Sequence, residues 1–578
     1  MGRLRDVVVL CVSVLLAAPA PAGASPASQW RAATESAPGR VVLPLGQVQL
    51  GQAVLPLAGG NIVVAGVSSS GSPQSGKLES AELLPDGRLD PTYGEGGVSL
   101  TPIALQPWSI FALPDGRLLV AGPNHNPLQA ASAKLPDWQL VRLLPNGKPD
   151  PGFGHDGLVD VGRTQALLPS PAGELAPELA PNGDIVLPTL IGGPLPQALP
   201  GLVRLNPDGS PDSTFGTNGV LQLPGEKGMF VGSFSVRPDG SIVVVETADG
   251  SARSLLLRLT AAGSPDPSFA GGSPVTLSSH VGNMLVGADG GIVLFTYNTS
   301  TVYDSMLVRY TVAGTLDPTW GTGGATDLGP GHNLNRLFPA PGGEILLVSL
   351  AVPAPMRPVL GPAFHEQIVR LTAKGQIDPT LGGPEGLLVS LPFGGGTYPP
   401  GAIANLTQNG FGPAGVTQRA DGTLLFYGSV EASEARGTEG GGEEVFAAAG
   451  GFALAALNSS FTLDRSFGGP GSLRLSAHVL STRLTARGIA VRLHSSGAGL
   501  CVVSVRAGGM TIARATVPFL AKPPSRQATT ALTARIPLTR AGRRLLRRHR
   551  RLHIAVSAAA TDLAANHVTA RTSAVLAG

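Results

Sequence analysis

The sequence predicts an all-β protein: a seven-bladed β-propeller followed by a small β-sandwich. Three observations support this prediction. A short segment built around an aspartate recurs seven times, a second segment with a turn dipeptide alternates with it, and the C-terminal part has a different, strongly basic composition. Similar segments that return at a regular interval are the sequence signature of a repeat architecture.

The first repeated segment is a pentapeptide of the form Asp-x-x-aromatic-Gly. Its aspartate can accept hydrogen bonds from the amide two residues on, the proline that often follows fixes φ, and glycine allows a positive φ. We therefore expect a structural turn whose aromatic side chain wedges between neighbouring blades. The aspartates lie 51 to 86 residues apart, and with their aromatic partners they are Asp90 and Tyr93, Asp150 and Phe153, Asp212 and Phe215, Asp266 and Phe269, Asp317 and Trp320, Asp378 (followed by Leu381), and Asp464 and Phe467.

The second repeated segment is a turn followed by a β-branched and leucine-rich run, as in 115–120 and 239–243. This pattern indicates a hairpin. An Arg-Leu strand such as 141–143 and a short apolar run such as 98–100 supply two further strands. Four strands in roughly 55 residues form one propeller blade, and stacking the blades around an axis buries faces that a single blade would expose.

Segments 204–219 and 113–122 resemble the bacterial delta-60 repeat, and the resemblance extends over about Val41 to Leu475. It implies a propeller-like fold and no established catalytic residues. The chain departs from the pattern at Leu381, Ala270 and Arg465, so we expect looser packing in those blades. The segment from Val41 to Leu45 is expected to pair with the final blade.

The first residues read as an export signal. Arg3 and Arg5 precede an apolar run over 7–18, and a small-residue cleavage site follows at 22–24. That run is shorter than the about 20 residues that a membrane-spanning helix needs. We expect a signal peptide over 1–24, a linker over 25–40, the propeller over 41–475 and a sandwich over 476–578, in a monomer that is secreted or bound to the cell wall. Cys501 is the only cysteine outside the signal, which excludes an intrachain disulfide and indicates a buried thiol.

The C-terminal part is basic. Residues 472–578 hold seventeen Lys and Arg against one acid, Asp562, a net charge of +16, whereas 25–471 hold 22 bases and 36 acids, a net charge of −14. The alternating apolar residues of this part resemble small immunoglobulin-like modules of secreted actinobacterial proteins. Between two strands, Thr539 is expected to cap a short helix seated by Leu545, Leu546 and Leu552.

Arginines crowd this predicted helix and the residues after it. Guanidinium groups bind phosphate and carboxylate polymers, so we predict a polyanion-binding patch, with solubility or docking on the acidic propeller as alternatives. No nucleic-acid recognition motif accompanies it. The patch residues are Arg540, Arg543, Arg544, Arg547, Arg548, Arg550 and Arg551.

Patterns that would indicate catalysis are missing from the sequence. There is no Gly-x-Ser-x-Gly motif, the phosphate-loop spacing over 71–77 ends at Leu78 instead of Ser or Thr, and His549 and His553 have arginine neighbours that oppose a cation. No catalytic, cofactor or metal residue is predicted. Two insertions lengthen the last repeat, 394–413 and the glutamate-rich 431–444, and the second is expected to form a solvated loop.

The first functional hypothesis is a non-enzymatic binding or scaffold protein, in which the propeller is a rigid platform for a glycan or a protein. The alternative is a secreted polysaccharide hydrolase or lyase with carboxylates at the propeller channel. Two or three acids within about 10 Å of one another at the channel mouth would favour the enzyme.

Overall fold

The protein is described from a computed structural model. Nearly every element in the described residues is a β-strand, and none of the helices there is long and apolar enough to cross a membrane. The predicted signal peptide over 1–24 lies outside the described residues. The described residues are 35–43, 53–68, 77–123, 138–162, 176–192, 197–248, 253–297, 305–329, 332–351, 365–383, 386–389, 411–437, 443–468, 474–480, 488–495, 499–519, 521–522, 527–528, 531–549, 551–562 and 566–577.

Two short strands, β1 (Glu35–Ala37) and β2 (Arg40–Leu43), begin the described chain. Six four-stranded antiparallel sheets follow within the described residues, each with its strands paired in chain order. Sheet 1 contains β3 (Ala53–Pro56), β4 (Ile62–Ser68), β5 (Lys77–Leu83) and β6 (Val98–Leu100). Sheet 2 contains β7 (Ser109–Ala112), β8 (Leu118–Pro123), β9 (Trp138–Leu143) and β10 (Leu158–Gly162). Sheet 3 contains β11 (Glu178–Leu179), β12 (Ile185–Ile191), β13 (Leu199–Leu205) and β14 (Val220–Gln222).

The next three sheets repeat this order. Short 3-10 turns over Ala270–Gly272 and Pro341–Gly343 lie between their strands. Sheet 4 contains β15 (Met229–Val236), β16 (Ile242–Ala248), β17 (Ser254–Leu259) and β18 (Val275–Leu277). Sheet 5 contains β19 (His280–Val286), β20 (Ile292–Tyr297), β21 (Ser305–Tyr310) and β22 (Ala325–Gly329). Sheet 6 contains β23 (His332–Pro339), β24 (Ile345–Ala351), β25 (His365–Leu371) and β26 (Leu387–Val389).

Sheet 7 combines the two ends of this region. Its strands β27 (Phe411–Gln418), β28 (Leu424–Gly437) and β29 (Glu443–Leu457) are completed by β2 and β1, in the order β1-β2-β29-β28-β27. Val41 lies opposite Leu454, as predicted for the segment that starts at Val41. The predicted linker over 25–40 is wrong for residues 35–40, because β1 and the start of β2 satisfy their backbone groups by pairing with each other.

The glutamate-rich insertion 431–444 is mostly strand, not the loop that its composition predicted. Glu431 lies opposite Gly450, and Gly437 lies opposite Glu443, so β28 and β29 continue as a two-stranded hairpin through most of 431–444. The solvated loop predicted there is wrong outside the tip, since the antiparallel ladder satisfies the backbone groups despite the acidic composition. Residues 438–442 and most of the insertion 394–413 lie outside the described residues.

The repeated segments occupy equivalent places in the sheets. The turn dipeptides join the first and second strands, and the pentapeptides lie between the third and fourth strands, as 90–94 does between β5 and β6. Tyr93 is buried in a cluster with Val63 of sheet 1 and Val120 of sheet 2. Phe467 joins residues of sheets 7 and 1 in the same way. Phe153, Phe215, Phe269 and Trp320 are buried in clusters that each combine two successive sheets, which is the position that the predicted wedge requires.

The C-terminal part forms two further sheets around a core of their own. Cys501 in this core is 0 % exposed, as predicted for the lone thiol, and burial raises its pKa to about 12. One sheet has the order β30-β31-β36 and the other β33-β32-β37-β38. The elements are β30 (Leu475–Val479), β31 (Ile489–Ser495), β32 (Gly499–Ala507), β33 (Met510–Phe519), the short pair β34 (Ala521–Lys522) and β35 (Gln527–Ala528), β36 (Ala531–Ile536), α1 (Arg540–Arg548), β37 (Arg551–Asp562) and β38 (His567–Ala577).

Candidate functional site

The aspartate of the repeated pentapeptide is held inside its own turn. Asp212 Oδ1 accepts hydrogen bonds from the Thr214 amide at 2.9 Å and from its hydroxyl at 2.6 Å. The hydroxyl bond is the largest cause of the lowered pKa of Asp212. The same pair of bonds forms at Asp90, Asp266, Asp317, Asp378 and Asp464, whereas Asp150 accepts from the Gly152 amide.

An arginine eight residues before the aspartate uses the second carboxylate oxygen. Arg258 Nε donates to Asp266 Oδ2 at 2.7 Å, its Nη1 donates to Val312 O of sheet 5 at 2.7 Å, and its guanidinium stands 5.1 Å from the centre of the Phe269 ring. One side chain thus joins the turn, the aromatic wedge and the neighbouring sheet. Arg142 and Arg204 make the same three contacts.

The role of this arginine was not predicted, although the sequence carries a signal for it. An arginine stands eight residues before the aspartate in five of the seven copies: Arg142, Arg204, Arg258, Arg309 and Arg370. Glu82 and Ala456 take its place in the first and last copies. In the last copy Arg419, from the turn between β27 and β28, stands 5.2 Å from the Phe467 ring centre instead.

Each aromatic wedge packs against a glycine of the next sheet. A Cβ atom placed on Gly147 would lie 2.5 Å from Cζ of Tyr93, closer than real Cβ contacts allow, and Gly147 also has a φ of +76°. Only glycine fits this position, since a side chain would collide with the ring and strain the backbone. Gly209, Gly263, Gly314, Gly375 and Gly87 face Phe153, Phe215, Phe269, Trp320 and Phe467 in the same way.

The contact between sheets 6 and 7 reverses this arrangement. Leu381 replaces the aromatic residue, and Phe461 stands where the other copies have the facing glycine, with a φ of +56°. Both side chains pack on one hydrophobic cluster shared by the two sheets. The looser packing predicted at Leu381 is therefore offset, because the aromatic ring is supplied by the opposite sheet.

We expect Leu381→Phe alone to destabilise the protein by about 1–3 kcal/mol, because a second ring would overpack this contact. Phe461→Gly alone loses apolar contact. The double variant restores the arrangement of the other contacts, so its loss of unfolding free energy should be at least about 1 kcal/mol smaller than the sum of the single losses. Urea unfolding of the four proteins measures this coupling, and strictly additive losses would contradict the exchange.

The predicted basic helix is α1. Thr539 caps it, because its side-chain oxygen accepts a hydrogen bond from the Gly542 amide at 2.9 Å, as predicted. Leu545 and Leu552 pack on the C-terminal core, whereas Leu546 is not part of that cluster. The arginines Arg540, Arg543, Arg544, Arg547, Arg548 and Arg551 are exposed, and Arg550 lies outside the described residues.

The arginines of α1 differ from those of the repeats in their surroundings. The arginines of α1 form no ion pair with an acid in the described residues, whereas arginines of the repeats pair closely with aspartates, as Arg142 does with Asp150 at 2.7 Å. The single acid of residues 472–578, Asp562, is only 3 % exposed. Positive charge at the first turn of α1 adds to the positive end of the helix dipole, so an anion near this surface is favoured.

Two carboxyl groups near sheet 4 were not predicted. Glu246 in β16 is 0 % exposed, and its carboxyl lies against the Gly225 backbone. Glu178 in β11 accepts a hydrogen bond from the Val236 amide at 2.5 Å. Burial raises the pKa of each carboxyl to about 7. The signal for Glu246 is weak: the matching position in the other second strands holds Gly66, Gly122, Thr189, Thr296, Ser349 or Gly428.

A metal centre would need several ligand side chains in one place. Across the described ranges, no group of three or more His, Cys, Asp or Glu side chains could hold a metal ion.

The chain matches one protein-family model in sequence, and its structure resembles several solved structures. Residues 113–153, 197–215 and 237–269 match a family model described as "Domain of unknown function (DUF5122) beta-propeller". The first and third segments contain the second and third strands of sheets 2 and 4, and the middle segment contains the third strand of sheet 3. Each segment ends at the aromatic residue of its pentapeptide, Phe153, Phe215 or Phe269. No curated protein matches the chain in sequence.

Solved structures that resemble the chain have low identity. A glucose dehydrogenase is 15 % identical with a TM-score of 0.25, and covers 45 % of this chain and 88 % of its own. Sqt1 from Chaetomium thermophilum is 13 % identical with a TM-score of 0.33, and covers 68 % and 94 %. A subtype N11 neuraminidase-like protein of A/flat-faced bat/Peru/033/2010 is 10 % identical with a TM-score of 0.30, and covers 72 % and 99 %. The family match and the repeated four-stranded sheets identify the chain as a protein with β-propeller-like repeats.

Proposed function

We propose that this protein is a secreted, non-enzymatic binding protein in which a seven-bladed β-propeller is the rigid platform and a basic, immunoglobulin-like module attaches to an anionic polymer outside the cell. The hydrophobic clusters support the propeller, since each combines two successive sheets and one combines sheets 7 and 1. The two-sheet C-terminal core supports the module. The observation that carries the binding role is the exposed arginine surface of α1, which forms no ion pair with an acid in the described part of the chain.

The position of α1 favours an external partner over the propeller itself. Arg40 of β2 and Asp562 of β37 are close enough for their charges to interact, so this end of β37 faces sheet 7. Burial is the main cause of the lowered pKa of Arg40, and Asp562 opposes it. Arg551, next to α1, is at the other end of the same strand. A strand rises about 3.3 Å per residue, which separates the two ends by roughly 36 Å.

This separation matters because the propeller carries the opposite net charge. If the basic module used its arginines to dock on the acidic repeats, α1 would lie against sheet 7. Instead, Arg40 of the propeller and Asp562, the one acid of the module, lie near each other, and each has the opposite charge to the net charge of its own part. The arginines of α1 stay accessible to a polymer of phosphate, sulfate or carboxylate groups.

The test is retention of the full chain on heparin and on immobilised polyphosphate. Replacing Arg540, Arg543, Arg544, Arg547 and Arg548 with Ser should lower the salt concentration needed for elution, because ionic contacts of exposed groups weaken with added salt. A matched control replaces five propeller arginines that lie in ion pairs with acids: Arg88, Arg117, Arg237, Arg253 and Arg309.

Retention that is unchanged in the α1 variant, or equally reduced in a correctly folded control, would contradict the proposal. Circular dichroism of each variant verifies that the β-structure is intact before the comparison is made.

A further inference from the structure

We propose that the outer face of the four-stranded C-terminal sheet is a second, preformed surface for the same class of ligand, a linear phosphate-bearing polymer. This inference rests on the function proposed above and adds a site outside α1. The face is defined by side chains of β32, β33, β37 and β38 that point away from the C-terminal core, and we call it the arginine trough.

The register of the sheet sets the width of the trough. Arg514 lies opposite Ser504, Ser504 lies opposite Ser557, and Ser557 lies opposite Arg571, so the four residues form one straight row across four strands. With about 4.8 Å between strands, the two arginines stand roughly 14 Å apart at the edges of the sheet. The serines between them are short enough to leave a shallow floor.

Neighbouring rows extend the same pattern. Arg506 lies opposite Ala555, and Ala555 lies opposite Ser573, one pleat from the first row at about 6.7 Å along the strands. On the other side, Ala559 lies opposite Thr569. The floor is therefore lined mainly by Ser, Thr and Ala side chains, with Val502 opposite Ala559, and its three arginines, Arg506, Arg514 and Arg571, are exposed.

Charge makes this face selective for anions. The only acid of residues 472–578 is Asp562, whose side chain is buried at 3 % exposure, so the floor has no carboxylate to repel an anion. Unlike the arginines of the repeats, those of the trough lie opposite Ser, Thr or Ala in the sheet. A guanidinium offers a planar fork of donors that fits a phosphate group from either edge.

The shape and composition of the trough favour a polymer that binds through the charges of its backbone. Residues 476–578 contain five histidines but only one Phe, Tyr or Trp, Phe519, so the large rings that stack most strongly on a base are nearly missing. Single-stranded nucleic acid usually binds through aromatic stacking in addition to charge. Arg551 begins β37 beside α1 and lies in the same alternating set as Ala555 and Ser557, so it connects the trough with the α1 arginines.

The experiment measures binding of fluorescein-labelled inorganic polyphosphate to the full chain by anisotropy at several NaCl concentrations. Arg514→Ser with Arg571→Ser should weaken binding roughly tenfold, and it should reduce the slope of log affinity against log salt by about 1.4. The matched control is Arg492→Ser with Arg535→Ser, two exposed arginines on the outer face of the other C-terminal sheet. This control removes the same charge and should change the affinity less than about twofold.

The outcomes separate the two proposals. If the wild-type chain does not bind polyphosphate, both the proposed function and the proposed role of the trough are contradicted. If the wild type binds and both double variants weaken it equally, overall charge is responsible and only the trough is overturned. Binding of single-stranded DNA of equal charge that is much tighter than binding of polyphosphate would overturn the assignment of the ligand class. Thermal unfolding of each variant verifies that it is folded.

Discussion

Replacing Phe215 with Ala is expected to lower the free energy of unfolding by about 3–5 kcal/mol. The ring is 0 % exposed and packs between sheets 3 and 4, in one cluster with Val186 and Val244. The Arg204 guanidinium stands 4.3 Å from its centre. Removing the ring leaves a cavity that the rigid sheets cannot close, and it removes the surface on which this guanidinium stacks.

Urea unfolding followed by circular dichroism measures this loss. Phe230→Ala is the matched control, because Phe230 is only half-buried in β15 and is not part of the clusters between sheets. We expect the control to lose less than half as much stability. An unfolding midpoint of Phe215→Ala that equals that of the wild type would show that the wedge does not hold the sheets together.

The second large effect concerns pH and Glu246. Its carboxyl has a pKa of about 7 in the folded protein because burial opposes the charged form, against an ordinary value of 4.5. The folded state therefore holds this proton more tightly than the unfolded state. Stability is highest below about pH 4.5 as far as this group is concerned, and it falls as the pH rises toward and past 7.

The folded and ordinary pKa values differ by about 2.5, which corresponds to roughly 3 kcal/mol of unfolding free energy. Most of this stability is lost between pH 5 and pH 8. Glu246→Gln cannot ionise, so it should lose about 2–3 kcal/mol less than the wild type over this range. Urea unfolding at pH 5, 6, 7 and 8 measures the effect. Glu178→Gln tests in the same way the second carboxyl whose pKa is raised by burial.

Glu226→Gln is the control, because this glutamate is exposed and forms an ion pair with Arg253 at 3.1 Å. Its stability should follow the pH dependence of the wild type. If the unfolding free energy of Glu246→Gln has the same pH dependence as that of the wild type, burial does not raise the pKa of this carboxyl and the interpretation is wrong.

The sequence predicted those features whose chemistry is local. The turn around Asp212 depends on residues two positions apart, the hairpin turns depend on dipeptides, and the Thr539 cap depends on the first turn of one helix. Each could be inferred because the interacting groups are neighbours along the chain. The aromatic wedge was also predictable, since a repeated ring in a blade too thin to bury it must pack on the next blade.

The features that were missed depend on which sheet is the neighbour. The bond from Arg258 to Val312 O crosses from sheet 4 to sheet 5, and Phe461 makes up for Leu381 only because these two residues face each other. Glu246 lies against Gly225, in the segment that joins sheets 3 and 4. No spacing within one repeat indicates such contacts. The trough likewise required the register of four strands, which alternation alone does not define.

The hairpin of β28 and β29 shows a different limit. Composition rich in Glu and Gly favoured a loop, yet Glu434 lies opposite Phe446 and Ala435 lies opposite Val445 in a regular ladder. Backbone pairing needs only the partner strand, so a strongly acidic segment can continue a hairpin that starts in a hydrophobic sheet.

The pairing of β2 with β29 has a consequence for synthesis. Val41 lies opposite Leu454, so one edge of β2 lacks its partner strand until nearly the whole region has left the ribosome, although β1 pairs with the other edge. Contacts so distant along the chain form slowly, and until then β2 is an unprotected edge that can pair with another molecule. A polypeptide terminated before β29 should therefore aggregate during production even though most of its sheets are complete.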